Sequence, residues 1–197
     1  VPLSVVALSS NDIAERGMTD MTSIVQQTPG LGMIQFSPAV TVLSLRGVSQ
    51  ASYLDHLEGP IAVYLDDSYV ASNGAIAGSM FDMERIEVLK GPQGTLFGRN
   101  TEGGAVNIIS RKPTGKYGYR ATAGFGNLGA YNADMHLDLP AFYDLSLKFD
   151  GVIQHRDALV ENPLPGSTGW GFYDRHGFKA TALWEPTDTF DAEYSYD

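Results

Sequence analysis

The feature that most constrains this chain is a hydrophobic period of two, which runs through five successive segments from Tyr119 to the final residues. Side chains alternate between the two faces of a strand, so a sustained period of two excludes helix and specifies two-faced β-structure. In the first segment Tyr119, Ala121, Ala123 and Phe125 share one face, opposite Arg120, Thr122, Gly124 and Gly126. In the second, Tyr131, Ala133, Met135, Leu137 and Leu139 lie opposite Asn132, Asp134, His136 and Asp138. The third sets Leu145, Leu147, Phe149 and Ile153 against Asp144, Ser146, Lys148, Asp150 and Gln154. Phe178, Ala180, Ala182 and Trp184 mark the fourth; Phe190, Ala192, Tyr194 and Tyr196 mark the fifth, opposite Asp191, Glu193 and Ser195.

Such faces suit either a soluble sandwich or a tilted crossing of the hydrocarbon layer around a wet lumen. Three details favour the membrane. The segments are long beside the usual strand of about five or six residues. Aromatic residues (Tyr119, Tyr131, Trp184, Tyr194, Tyr196) gather near segment ends, where interfacial girdles belong. Connections also alternate in length: Pro140 to Tyr143 and Pro186 to Asp188 are tight, and Arg156 to His176 is long, as periplasmic turns and external loops require. The short connection at 127–129 departs from that rule. So few segments cannot enclose a folded domain, since plugged barrels use about 22 strands. Further strands are therefore expected beyond Asp197.

Residues 1–113 read differently, as a mixed α/β domain. Val5 to Leu8 is an apolar strand, after which Asn11 or Asp12 can cap a short helix, IAER, that stops at Gly17. Asp20 caps a second helix, MTSIVQQ, ended by Pro29 and Gly30. Val40 to Leu45, Ile61 to Leu65, Ile86 to Leu89 and Ala105 to Ile109 are β-rich, with turn chemistry at Asp66, Asp67 and Ser68. A formal charge of −10 argues against a nucleic-acid partner, and no cysteine is present to build a disulfide or thiolate site. No apolar run is long enough for a transmembrane helix, which leaves a membrane barrel open.

The strongest local signal is FDMERIEVLKGPQGTLFGRNTEGGAVNIISRKPTG, residues 81–115. It resembles the plug of TonB-dependent outer-membrane receptors, in which a strand ending in K-G-P leads through a G-x-L-[FY]-G turn to a G-G-x-[IV]-N strand. VPLSVVALSSNDIAERG, IVQQTPGL, LRGV at Leu45 to Val48 and VYLDDSYV at Val63 to Val70 agree with the family in order and spacing. The resemblance implies a mixed α/β plug domain (1–113) followed by the start of an antiparallel transmembrane β-barrel (114–197, about five strands), incomplete in this chain. It implies energised uptake of a scarce external ligand such as a ferric siderophore, in the Gram-negative cell outer membrane. The implied partners are outer-membrane lipid and the periplasmic C-terminal domain of TonB with its inner-membrane energising complex. The TonB box itself is expected to precede Val1.

Within that frame Gly91, Gly94, Gly98, Gly103 and Gly104 are expected to allow tight turns and close backbone approach. A phosphate loop would need G-x-x-x-x-G-K-[ST] or G-x-G-x-x-G, and neither pattern is present. Arg46 and Lys90, read as lying in apolar strands, need partners. The resemblance implies carboxylates on the barrel wall that lock the plug; an ordinary intradomain salt bridge is the alternative. Gln50, Tyr53, His56, Tyr69 and Asn73 fall in the loops 49–59 and 69–78, where family plugs present apices to the ligand; solvated loop residues would read the same way.

No catalytic constellation is expected, and no metal or cofactor. His56, His136, His155 and His176 lack metal-ligand spacing, Asp66 and Asp67 read as turn residues, and Ser9 and Ser10 have no nucleophile-elbow context. Two further functions remain open: the ligand-sensing plug of a signalling receptor, which an upstream extension of about 80 residues would support, and a soluble β-rich binding domain.

Overall fold

The computed structural model describes residues 4–37, 40–50, 58–72, 76, 80–164 and 166–197. Contacts divide the chain into two compact units, Val1–Arg111 and Lys112–Asp197.

The first unit opens with β1 (Ser4–Ser9), α1 (Ser10–Glu15) and α2 (Met21–Gln27). Four cap-competent residues, Ser9, Ser10, Asn11 and Asp12, stand in a row, and the backbone selects Ser9. Ser9 enters extended (φ −78°, ψ 167°) and its hydroxyl accepts the Asp12 amide, while the Asp12 carboxylate accepts the Ser9 amide. Asp12 is thus the far half of a capping box, which corrects the expectation that it or Asn11 is the cap. The cap at Asp20 forms as expected, completed by Ser23.

The strands of this unit are β2 (Leu31–Ser37), β3 (Val40–Leu45), β4 (Val48–Ser49), β5 (Ile61–Leu65), β6 (Ser68–Tyr69), β7 (Met83–Lys90) and β8 (Gly104–Ser110), with a short α3 (Gly94–Phe97) between the last two. They form a five-stranded sheet of order β1-β7-β8-β5-β6 and a three-stranded sheet β2-β3-β4. Strand β2 escaped the sequence reading because LGMIQFS has no clean period of two. The core is mainly apolar, with Leu8, Met21, Ile24, Leu45, Ile86, Val88 and Val106 all buried, and it also encloses Thr28, Thr41 and Asn107. Asp66 and Asp67 form the β5–β6 turn, with φ of 48° and 61°, so the turn reading of this carboxylate pair holds.

The second unit is one antiparallel sheet of order β13-β12-β11-β10-β9. Its strands are β9 (Gly118–Phe125), β10 (Tyr131–Asp138), β11 (Leu145–Arg156), β12 (Tyr173–Thr187) and β13 (Phe190–Tyr196). Each of the five segments is thus a strand. The fourth starts earlier than expected, at Tyr173, because residues 173–178 pair with 151–156 and leave 157–172 as the loop. The tight turn after β10 is centred on Tyr143 and Asp144 (φ 47° and 62°), and Pro186 belongs to β12 beside an irregularity in its pairing with β13.

Register aligns the faces. Tyr131 pairs with Phe125 and Leu137 with Phe149, then Leu147 with Ala182 and Ala182 with Tyr194, so the apolar residues of all the strands stand on one side. That side is open: Phe125 is 90% exposed, Tyr194 70% and Phe178 52%. The opposite side is mostly polar and is buried along the inner strands, with Lys148 at 0%, Asp150 at 3% and Gln154 at 6%, joined there by Val152 and Leu183.

Candidate functional site

The 81–115 motif folds into a hairpin whose connection carries four of the five motif glycines, Gly91, Gly94, Gly98 and Gly103. Strand β7 ends at Lys90, and the Gly91 amide donates to the Gly103 carbonyl at 3.0 Å, closing the base of the connection. Inside it, the Gln93 amide donates to Thr101 O at 3.0 Å and the Thr101 hydroxyl to Gly98 O at 2.7 Å. Gly104 has the firmest requirement: its φ is +145°, and a Cβ there would sit 2.6 Å from Leu45 Cδ2 and against the Leu89 carbonyl. Gly98 ends α3 at φ +76°, another conformation that side chains resist. Gly91 has a φ of +103°, and a Cβ at Gly103 would crowd Val48 and Ile61. Gly94 opens α3 with empty space around it and no left-handed φ.

The cations are placed differently from the expectation of buried strand residues. Arg46 is exposed at a β3–β4 turn, with φ 51°, and donates through Nη2 to Ser4 Oγ at 2.9 Å. Lys90 does end a strand, but it is only half-buried and its Nζ donates to Pro29 O at 2.7 Å. Both have neutral oxygen acceptors inside the first unit. Neither meets a carboxylate among the described residues, so the intradomain salt bridge does not form there.

Of the expected apex residues, Tyr53, His56 and Asn73 lie outside the described residues. Gln50 is exposed just after β4. Tyr69 sits in strand β6, not in a loop, because it pairs with Tyr64 across the Asp66–Asp67 turn. Around it is a cluster that the sequence did not signal. The Glu58 carboxylate accepts from Arg99 Nη2 at 3.0 Å and from Asn100 Nδ2, and Asn100 Nδ2 also reaches the Tyr69 hydroxyl at 3.1 Å. Asn100 takes φ +63°, a left-handed conformation that asparagine tolerates better than most residues. Tyr64 joins from below, donating to Phe97 O at 2.6 Å, with its ring 5.7 Å from Tyr69 and 5.2 Å from Phe97. Partial burial raises the Tyr69 pKa, opposed by the Asn100 hydrogen bond. The adjoining cavity, lined in part by Thr41, Leu43, Glu58 and Tyr69, holds about 20 Å³, room for roughly one water.

In the second unit, polar side chains pair across the buried face. His136 Nδ1 lies 2.7 Å from Asp150 Oδ1, and Lys148 Nζ 3.4 Å from the same oxygen. The register sets Arg120, His136, Asp150 and Lys179 side by side across four strands, a row that mixes cation, imidazole and carboxylate. Opposite charges on neighbouring strands stabilise the pairing. The exposed face is mostly apolar and aromatic, with His155, Asp174 and His176 toward the β11–β12 loop, and carries a concavity of about 550 Å³ lined in part by Tyr143, Ala182, Trp184, Ala192 and Tyr194.

A glycine-turned α/β unit followed by antiparallel strands with an exposed apolar side is the pattern of a plug domain followed by the first strands of a barrel. The model of the TonB-dependent receptor plug domain matches residues 1–105, and this chain belongs to that family. The pesticin receptor of Yersinia pestis is 27% identical over 139 residues, covering 70% of this chain and 20% of the relative. The catecholate siderophore receptor Fiu of Escherichia coli K12 is 29% identical over 124 residues, covering 63% of this chain and 16% of the relative. This chain thus spans about a fifth of the length of such relatives. Among solved structures, the ferric yersiniabactin uptake receptor FyuA of Yersinia pestis superposes with a TM-score of 0.84 over 98% of this chain and 30% of that one, at 24% identity. The likeness carries the fold across the whole chain.

Proposed function

We propose that this chain forms the plug (1–113) and opening barrel strands (114–197) of a Gram-negative outer-membrane receptor that takes up a scarce external ligand, a ferric siderophore or similar complex. One observation carries the reading: directly after a plug-family domain, five strands turn their apolar face outward, with Phe125 90% exposed, and bury Lys148 at 0%. That polarity is the reverse of a soluble sandwich and suits strands with lipid outside and polar groups inside. Similarity to receptors named for pesticin, catecholate siderophores and ferrioxamine B supports the ligand class.

In this reading the plug obstructs the lumen, Gln50, Tyr53, His56, Tyr69 and Asn73 serve the external ligand, and the periplasmic domain of TonB supplies the pull that moves the plug. Arg46 and Lys90, each bonded to a neutral oxygen and to no carboxylate among the described residues, remain available to pair with wall carboxylates and lock the plug in place. The test is radioiron uptake by an iron-starved Gram-negative host that lacks its own siderophore receptors and expresses the complete gene. The expected result is accumulation from at least one catecholate or hydroxamate complex, abolished when TonB is removed. A receptor correctly inserted in the outer membrane that transports none of them would overturn the reading.

A further inference from the structure

Glu58, Tyr69 and Asn100 come from three separate stretches of chain, and their meeting has a functional position. Glu58 follows directly on the stretch containing Tyr53 and His56; Tyr69 closes β6 ahead of Asn73; Asn100 lies in the connection between β7 and β8. The amide of Asn100 is the only group that touches both of the others among the described residues, donating to the Glu58 carboxylate and to the Tyr69 hydroxyl. Arg99 adds a second donor to Glu58, and the Gly103 amide binds Pro60 O at 2.9 Å, so the foot of the first candidate loop is tied to the β7–β8 connection twice over. The foot of the second is tied through Tyr69 and through the Val70 amide, which donates to Val63 O at 2.9 Å.

We propose that Asn100 is a positioning residue for ligand recognition: its carboxamide clamps Glu58 and Tyr69 together, so the feet of both candidate ligand loops and the β7–β8 connection open and close as one cooperative unit. The clamp rests on the uptake reading for its purpose but not for its physics. Three features argue for a clamp in place of a binding pocket. The neighbouring cavity has room for about one water, too little for a ligand. The donors and acceptors are already matched to one another, so a ligand would have to displace them. Asn100 also holds φ +63°, a conformation retained where the surroundings dictate it. Local opening free energies in proteins are set by such small sets of bonds, and groups that share them exchange together.

The test uses the full-length receptor in detergent micelles or nanodiscs and reads amide hydrogen exchange at residues 58–59, 69–72 and 98–103. Asn100→Gly removes the carboxamide while tolerating the left-handed backbone; Tyr69→Phe removes one arm of the clamp only. The clamp predicts that N100G accelerates exchange about tenfold at all three stretches. Y69F should accelerate 69–72 and leave 58–59 within about twofold. Asn100→Asp, which sets a carboxylate beside Glu58, should loosen all three at pH 7 and recover as the pH falls toward 4 and the pair takes up a proton. Acceleration by N100G confined to 98–103, or no difference between N100G and Y69F, would overturn the clamp. Binding of ferrioxamine B and a ferric catecholate is measured in parallel. If neither binds the wild-type receptor, the uptake reading is weakened while the exchange result still decides the clamp. If one binds, N100G should weaken it about fivefold or more without changing the amount of receptor in the membrane.

Discussion

The two units of this chain obey opposite rules of burial. In Val1–Arg111 the apolar residues converge on a closed core, with Ile24, Leu45, Ile86 and Val88 all at 0% exposure. In Lys112–Asp197 the polar row of the inner strands is hidden, with Lys148, Asp150 and Thr181 buried, and the aromatic row is open. The same period-two pattern would serve a soluble sandwich, so it is the direction of the faces that distinguishes a strand built for lipid. On the uptake reading the surroundings of the two units differ: the first expels apolar groups from water, and the second would present them to hydrocarbon, where an unpaired backbone group costs several kcal/mol.

The sharpest way to break this comparison is to separate the units. Residues 1–113 expressed alone should melt cooperatively in plain buffer, because their core is complete. Residues 114–197 alone should aggregate, because their outward face and both edge strands are uncovered. A monomeric, cooperatively melting 114–197 fragment would overturn the membrane reading of the second unit. Within 1–113, Gly104→Ala should cost about 3 kcal/mol or more by urea unfolding, since it adds a Cβ where the Leu89 carbonyl and Leu45 already stand and strains a φ of +145°.

Smaller effects sharpen the contrast. Truncating Ile24 to Ala should cost about 2–4 kcal/mol, whereas truncating Phe178 in the full-length receptor in micelles should cost less than about 1 kcal/mol, because beyond its stacking on Phe149 the membrane reading gives it only lipid or detergent to contact. Phe178→Lys should cost about 2–4 kcal/mol in bilayers if that face crosses the hydrocarbon, and almost nothing if it faces water. The smallest effect is at the first helix. The Ser9 hydroxyl, then the Ser9 amide, holds the Asp12 carboxyl below its ordinary pKa of 3.8. A depressed pKa means the charged form is the stabilising one, so the capping contribution is present at neutral pH and is lost as pH falls through the folded-state value. Asp12→Asn in the isolated plug should therefore flatten the acid limb of its stability curve below about pH 4.

The strands were legible wherever a single face had to be satisfied. Tyr131 to Leu139 alternate without a break, and β10 lies there. Legibility failed where several residues could do the same job or where a partner came from far away in sequence. Ser9, Ser10, Asn11 and Asp12 are all competent caps, and only the extended entry of the backbone at Ser9 chose between them. Arg46 follows six strand-like residues and reads as strand, yet the β3–β4 hairpin needs a left-handed pair and takes Arg46 with Gly47. Glu58 and Asn100 are 42 positions apart, and nothing local to either predicts their hydrogen bond.

By itself the sequence determined the two-part plan, the faces of the five strands and the glycine-marked hairpin of the plug, because each is written in local periodicity or in backbone conformations that few residues accept. Only the tertiary structure decided which face is outward, that Arg46 and Lys90 rest on neutral oxygens, and that Glu58, Tyr69 and Asn100 meet. These depend on pairings between distant segments, and a pairing is fixed by the packing of the whole sheet and not by the residues on either side of it in the chain.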